Sequence, residues 1–359
     1  MRVLISAGGT GGHINPALAI GRYILEQNSE NEVLFIGALG DMDKKLYGEC
    51  GMNYRLFYSK GLDRKNLINN FNILKTDYKA YRDILKVVEE FKPDVGISCG
   101  GYISAMAMMC LKKKKIPFII HEQNAIPGLT TKLLSRYAVK YAYAFKSANK
   151  YLKYPLRGVY TGNPIREEFL KLTKEEAREK LGFSKEDKII LCFGGSLGAR
   201  KLNEVFKNMI PKIKNDNVKL VIGTGSYYYK EYDKTSDSNI IIKEYIDNMP
   251  LWLTGCDIAV TRAGAMTVSE LCAIKKPSVL IPSPNVTADH QTKNALELSE
   301  CGGAILIREN ELSDELLYET LIKTVNDKEK LSEMENALIP LSVTDGAKRI
   351  YTIISEITH

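Results

Sequence analysis

An apolar strand-like run, a glycine-rich turn and a helix follow one another at residues 3–20, 95–110 and 189–206. This recurrence restricts the fold more than any other feature of the chain. Each run is short and apolar throughout, as strands buried on both faces are, and each turn opens a segment of helical character. The first helix is expected from Pro16 to about Leu25, and a further strand at Ile116–Ile120 ends in the polar run His121-Glu122-Gln123-Asn124. Successive units of this kind need crossover connections, so the expected class is α/β with parallel sheets wound on both faces. The pattern breaks near Thr161-Gly162-Asn163-Pro164, where turn signals and a proline coincide. It restarts at Ile189–Phe193, after a capping box, Thr173-Lys-Glu-Glu176, whose helix stops at Gly182. The expected architecture is two doubly wound, Rossmann-like domains facing a cleft. They span residues 1–162 and 163–340, and a tail, 341–359, carries an amphipathic helix over Asp345–Ile357.

The stretch Ile258–Ala295 says most about chemistry. It reads as a buried strand (Ile258–Thr261), a turn at Arg262-Ala263-Gly264, and a helix from about Ala265. The first amides of a helix have no partner within it and the macrodipole is positive there, so an anion is welcome. Gly264 and Ala265 keep side chains clear, Thr267 adds a hydroxyl, and Glu270 lies one turn further in. A carboxylate behind a phosphate-binding turn suits a nucleoside diphosphate: the amides meet the phosphates and the acid meets the ribose.

Other classes lose ground. The dinucleotide fingerprint fails, because Gly9 and Gly11 would need a third glycine where the chain has Ile14. The second strand, Glu32–Gly37, lacks the terminal acid that would hold an adenosine ribose. Asp41-Met42-Asp43 has the form of a metal-holding triplet, but so short a match is expected by chance, and no other acids or histidines show ligand spacing. No bound metal or other cofactor is expected. The seven cysteines form no CxxC pair and read as free thiols in a reducing compartment. No apolar run is long enough to span a bilayer, and the N-terminal run is too short for a signal peptide.

Charge is uneven. Residues 1–162 hold 24 Lys/Arg against 13 Asp/Glu, whereas residues 163–359 hold 26 against 30. A helix over Phe71–Phe91 carries a basic stripe of Lys75, Lys79, Arg82 and Lys86; apolar residues Leu67, Ile68 and Phe71 precede it, and Lys112–Lys115 follows later. Basic groups with a few apolar side chains between them suit an anionic membrane surface. Nucleic acid is not expected, because no binding module accompanies the charge. Of the four histidines, His13, His121 and His290 follow expected strands in glycine-rich or polar loops.

Seven motifs then occur in a fixed order. They are Gly8-Gly-Thr-Gly-Gly-His13, Gly100-Gly-Tyr102, His121-Glu-Gln-Asn124, Gly162-Asn-Pro-Ile-Arg166, Gly194-Gly-Ser-Leu-Gly-Ala-Arg200, Arg262-x-Gly-Ala-Met-Thr-Val-Ser-Glu270 and Asp289-His-Gln-Thr-Lys-Asn-Ala295. Together they closely resemble the MurG family of bacterial peptidoglycan glycosyltransferases, which move N-acetylglucosamine from UDP onto a lipid-linked muramyl-pentapeptide. The resemblance covers nearly the whole chain and implies the GT-B fold, with an acceptor domain first, a donor domain second, and the C-terminal helix packed back on the first. It places Ile246 at uracil, Arg166 by the nucleotide, and Glu270 at the ribose. The diphosphate falls to Ser196 and the turn Ala265, Met266, Thr267, and Val268 and Ser269 after it are counted among the substrate-binding residues. Thr10, Gly11, Gly12, Asn124 and Gln291 would border the sugar, with Gly100, Gly101 and Tyr102 on the acceptor side. Two departures are visible: the second glycine loop continues Ile-Ser-Ala-Met-Ala, and Leu197 stands where glutamine is common.

The implied reaction is an inverting single displacement by the acceptor's C4 hydroxyl. Departing diphosphate would be stabilised by helix N-termini at Ser196 and Ala265, helped by Arg262 or Arg166. His13 is the first choice of general base and Glu122 the second. The expected partners are UDP-N-acetylglucosamine, the lipid-linked acceptor and an anionic membrane surface, and the expected location is the cytoplasmic face of the membrane. Rival readings are a UDP-N-acetylglucosamine 2-epimerase, which would need paired acids at the sugar, and a non-catalytic UDP-sugar sensor.

Overall fold

The computed structural model describes residues 1–59, 70–195, 197–214, 216–232 and 237–358, with the backbone alone at 70–75. The expected apolar residues Leu67 and Ile68, the side chains of Phe71 and Lys75, and Ser196 lie outside the described set. The chain divides into two compact units, Met1–Ile165 with Thr344–His359, and Arg166–Val343.

The first unit alternates strands and helices: β1 (Arg2–Ser6), α1 (Gly11–Gln27), β2 (Glu32–Ala38), α2 (Asp41–Gly48), β3 (Tyr54–Phe57), α3 (Asn70–Phe91), β4 (Val95–Ser98), α4 (Tyr102–Lys113), β5 (Phe118–Glu122), α5 (Leu129–Leu134), β6 (Lys140–Tyr143) and β7 (Gly158–Tyr160). Among the described residues its strands form a parallel sheet in the order β3-β2-β1-β4-β5-β6-β7. Register is set at the centre, where Ile5 lies opposite Phe35 on one side and Ile97 on the other. Alternation along β1 builds both faces of the core. Val3 and Ile5 meet Ile14, Ile20 and Ile24 of α1, while Leu4 turns to Ile84 of α3 and Ile103 and Ala107 of α4.

The second unit repeats the scheme: α6 (Lys174–Leu181), β8 (Ile189–Phe193), α7 (Arg200–Ile213), β9 (Lys219–Gly223), β10 (Ile240–Lys243), α8 (Met249–Gly255), β11 (Ile258–Thr261), α9 (Ala265–Ala273), β12 (Ser278–Leu280), α10 (His290–Ser299), β13 (Ala304–Leu306), α11 (Asp314–Asn326) and α12 (Lys328–Leu338). Its sheet is parallel, ordered β10-β9-β8-β11-β12-β13. The capping box at Thr173 and Glu176 is formed, and Gly182 ends α6 in the left-handed conformation. The last helix, α13 (Gly346–Thr358), belongs to the first unit, where Ile350, Ile353 and Ile354 join the α1 side of the core. Each buried isoleucine contributes about 1.5–3 kcal/mol.

Four differences from the sequence reading have physical causes. The change of unit falls after Ile165 and Val343, not after 162 and 340. Helix α1 starts at Gly11 rather than near Pro16, because the Thr10 carbonyl accepts from both His13 and Ile14 amides at 3.1 Å. Strand β5 runs on through His121 and Glu122, which lie opposite Ala142 and Tyr143 in the sheet and are buried, not looped out. The short strands β3, β6, β7 and β13 carry too little apolar pattern to be found without their partners.

Candidate functional site

In a doubly wound sheet, ligands bind beyond the carboxyl ends of the strands where strand order reverses. In the second unit this point lies between β8 and β11. A pocket of about 780 Å³ opens there, lined among others by Gly194, Gly195, Lys201, Gly264, Thr267 and Gln291. Its walls include the starts of α7 and α9, and neither helix has a side-chain cap; the N-cap residues are Ala199 and Gly264. The first intrahelical bonds come from Asn203 to the Ala199 carbonyl and from Val268 to that of Gly264, each 2.9 Å. Among the described residues, nothing accepts from the amides of Ala265, Met266 or Thr267. Two uncapped helix starts at one pocket make a strong anion site.

The loop under α7 is held by backbone packing. Gly198 and Gly225 both have positive φ, and a Cβ on Gly225 would come within 2.1 Å of the Gly198 nitrogen. No other residue fits at that approach. Asn203 ties the two loops together, donating to Ala199 O at 3.1 Å and Thr224 O at 2.9 Å.

Glu270 is buried one turn behind the α9 amides, and Arg166 donates to its Oε1 through Nε and Nη2, both at 3.1 Å. Burial pushes the Glu270 carboxyl up despite the arginine. Ile246 is buried with its side chain over Gly223, where a Cβ would lie 2.8 Å from Cγ1. Gln291 lines the pocket and its Oε1 accepts from the Ser283 amide at 2.8 Å. Val268 and Ser269 are buried inside α9 past the unpaired amides and do not line the pocket. Val268's own amide is already bonded to Gly264. Arg262 and Arg166, both candidates for the diphosphate, already face carboxylates: Arg262 is ion-paired to Glu309 and donates to the Ile281 and Pro282 carbonyls.

The first unit carries the corresponding turn between β1 and α1, beside the β4–α4 turn. Here side chains do the fastening. Asp43 is buried, and accepts from the Gly9 amide at 3.0 Å and the Ala38 amide at 2.8 Å. The Ser104 hydroxyl sits 2.7 Å from the Ser6 and Gly100 carbonyls, and Thr130 donates to Gly101 O at 3.3 Å. Gly101, at φ +85°, passes so close to Gly8 that a Cβ would meet its carbonyl oxygen at 2.4 Å. Thr10 and Gly12 are exposed, and Gly11 and Gly12 form the first turn of α1. Tyr102 begins α4, and burial together with Asp77 pushes its hydroxyl up to about 12.

His13 packs over Gly100, with Nδ1 3.2 Å from both Gly8 O and Thr10 Oγ1. A backbone carbonyl can only accept, so Nδ1–H donates in the bond to Gly8, and in the neutral ring this leaves the lone pair on Nε2. Glu122 is different. Its Oε1 accepts from Asn124 N at 3.0 Å and Asn124 Nδ2 at 3.3 Å, and its Oε2 from Gly128 N at 3.0 Å and Thr131 Oγ1 at 2.6 Å. These donors use the carboxylate's acceptor sites in holding the 123–131 loop, so Glu122 organises that loop. His121, fully buried, accepts at Nδ1 from Gln123 Nε2 at 3.0 Å, and burial pulls its imidazole down to about 4.

Sequence reasoning missed Asp43 and Glu309. Asp43 was seen only as half of a chance triplet, and no local signal marks Glu309, which reaches Arg262 from across the sheet. Each Asp43 oxygen accepts from a backbone amide, and these two bonds account for a buried carboxylate at this turn.

Comparison with known proteins identifies the family. Two family descriptions match in order: "Glycosyltransferase family 28 N-terminal domain" over residues 3–143 and "Glycosyltransferase family 28 C-terminal domain" over 189–350. A relative from Acetivibrio thermocellus, named UDP-N-acetylglucosamine–N-acetylmuramyl-(pentapeptide) pyrophosphoryl-undecaprenol N-acetylglucosamine transferase, is 38% identical across 99% of this chain and 98% of its own. The crystal structure of Acinetobacter baumannii MurG superposes with a TM-score of 0.79 at 25% identity, covering 99% of each chain. A UDP-GlcNAc 2-epimerase from Neisseria meningitidis bound to UDP-GlcNAc shares the fold at a TM-score of 0.70 and 15% identity, over 99% of this chain and 100% of that one. On these matches the chain belongs to glycosyltransferase family 28 and, within it, to the MurG group of N-acetylglucosamine transferases.

Proposed function

We propose that the chain transfers N-acetylglucosamine from UDP-N-acetylglucosamine to the C4 hydroxyl of the muramic acid in an undecaprenyl-diphospho-muramoyl-pentapeptide, with inversion to a β-1,4 linkage. The observation that carries this reading is the uncapped head of α9 on the pocket, with Glu270 one turn behind it. The amides of Ala265, Met266 and Thr267, with the start of α7 and Ser196, take the diphosphate. Glu270 accepts from the ribose hydroxyls while Arg166 keeps it oriented, and the backbone of Ile246 pairs with uracil. Thr10, Gly11, Gly12, Asn124 and Gln291 border the transferred sugar.

The acceptor's C4 oxygen attacks the anomeric carbon as the bond to the UDP oxygen breaks, and the hydroxyl proton passes to His13 Nε2. The tautomer fixed by Gly8 supports this role, since a general base needs a free lone pair. Negative charge growing on the leaving diphosphate is met by fixed amides, each worth about 3–4 kcal/mol by analogy with oxyanion holes, and the reaction is read as needing no bound metal. Gly100, Gly101 and Tyr102 form the acceptor side. An epimerase would need paired acids at the sugar, whereas Asp43 and Glu122, the carboxylates at the first unit's loops, are both spent on loop donors.

Among the described residues no helix is long and apolar enough to cross a membrane. Peripheral binding of the first unit to the cytoplasmic face of an anionic membrane is supported by exposed Lys79, Arg82 and Lys86 on α3 and Lys112–Lys115 at the end of α4. Exposed Tyr78 of α3 and Leu129 and Leu133 of α5 supply apolar contact.

The deciding experiment is incubation with UDP-N-acetylglucosamine with and without the lipid-linked acceptor. UDP is expected only when acceptor is present. Acceptor-independent UDP release, or conversion of the sugar to its 2-epimer, overturns the proposal.

A further inference from the structure

We infer that Glu309, by neutralising Arg262 at the wall of the second unit's pocket, limits how tightly that pocket holds a nucleoside diphosphate. The inference rests on the reading of this pocket as the donor site.

Arg262 is pinned at three points. Its Nη1 donates to the carbonyls of Ile281 and Pro282, each at 3.2 Å, and its Nη2 is ion-paired to Glu309. Both side chains line the pocket and both are mostly buried, at 16% and 21% exposure. Water therefore screens this pair less than the rim pair of Arg200 and Glu204, which is 82% and 49% exposed. The two carbonyls hold the guanidinium in place whatever stands at position 309. With Glu309 charged, the wall presents a nearly neutral pair. Without that charge it presents a fixed cation beside two uncapped helix starts, and a bound diphosphate leaves more slowly. A transferase whose product is the diphosphate itself gains turnover from weaker product binding, since release is often the slow step. Glu309 acts through Arg262, so it is a positioning and affinity-setting residue rather than a catalytic one.

The test is calorimetric titration of wild type and Glu309→Gln with UDP, UMP and uridine. Two opposed charges across a half-screened pocket predict UDP affinity tightened roughly three- to tenfold in Glu309→Gln, UMP affinity tightened less, and uridine affinity unchanged. Stronger product inhibition by UDP should accompany the change. Glu309→Ala, which removes the charge without offering a new amide, should shift UDP in the same direction. UDP affinity that is unchanged or weaker in both variants, or uridine affinity that moves as much as UDP, overturns the inference and leaves the donor site standing. Absence of UDP binding in wild type overturns both together.

Discussion

The chain contains two versions of one topological element, and they are fastened differently. At the switch point of the first unit the glycine turn is tied by neutral hydrogen bonds and one buried carboxylate that accepts only from amides: Asp43 to Gly9 and Ala38, Ser104 to Gly100, Thr130 to Gly101. The His13 imidazole lies on it, with no hydrogen-bond partner at Nε2 among the described residues. At the switch point of the second unit, glycine packs on glycine, helix starts are left uncapped, and Arg166 with Glu270 and Arg262 with Glu309 form ion pairs nearby. The first arrangement suits moving a proton; the second suits holding an anion. Fold alone does not choose between them, because both units have the same strand order around the site.

Replacing His13 should break the comparison most visibly. His13→Ala is expected to lower turnover by about 10²–10⁴-fold, the usual contribution of a general base, while UDP affinity stays within about twofold. Turnover surviving within about tenfold in a steady-state assay would remove His13 from the proton-transfer role.

The buried imidazole one strand away sharpens the contrast. His121 is held neutral, with its pKa lowered to about 4. A folded-state pKa depressed below that of the unfolded chain means stability present above about pH 6.5 and lost as pH falls toward 4, by up to about 3 kcal/mol. Thermal midpoints measured from pH 7 to pH 4 should fall more steeply for wild type than for His121→Asn, which cannot charge. Equal slopes would show that His121 is not the acid-sensitive group.

Glu270 tests the other side. Hydrogen bonds to a charged group are worth about 1.5–3 kcal/mol, so Glu270→Gln should weaken UDP binding by roughly ten- to a hundredfold. Burial raises the Glu270 pKa, so its favourable contribution to folding is present below the ordinary carboxylate range and is lost as pH rises through the raised value. The variant should therefore be as stable as wild type or more so at neutral pH, with the gap closing on acidification. A large loss of stability together with unchanged UDP affinity would make Glu270 a structural residue.

Much was legible in the sequence because it is written locally. Ile189–Phe193 was found at its true limits, and α13 within a residue at each end, since apolar period and flanking turn residues lie side by side along the chain. Helix α1 was placed five residues late because glycines read as loop, whereas Gly11 and Gly12 lie in the first turn, where the Thr10 carbonyl begins the helical bonds. Glu122 and His121 read as loop residues because their partners in the neighbouring strand, Ala142 and Tyr143, lie 21 positions further along the chain.

The sequence by itself determined the class of fold, the two-unit plan and the glycine turns, because apolar periodicity and the conformational freedom of glycine act over a few neighbouring residues. Only tertiary structure decided which side chains those turns would meet. Asp43 became a clasp for Gly9, Glu122 a loop organiser and Glu309 the partner of Arg262, because hydrogen bonds and ion pairs form between groups that sheet pairing brings within 3 Å from 34 to 47 positions apart or, for Glu122, from the far side of its own loop.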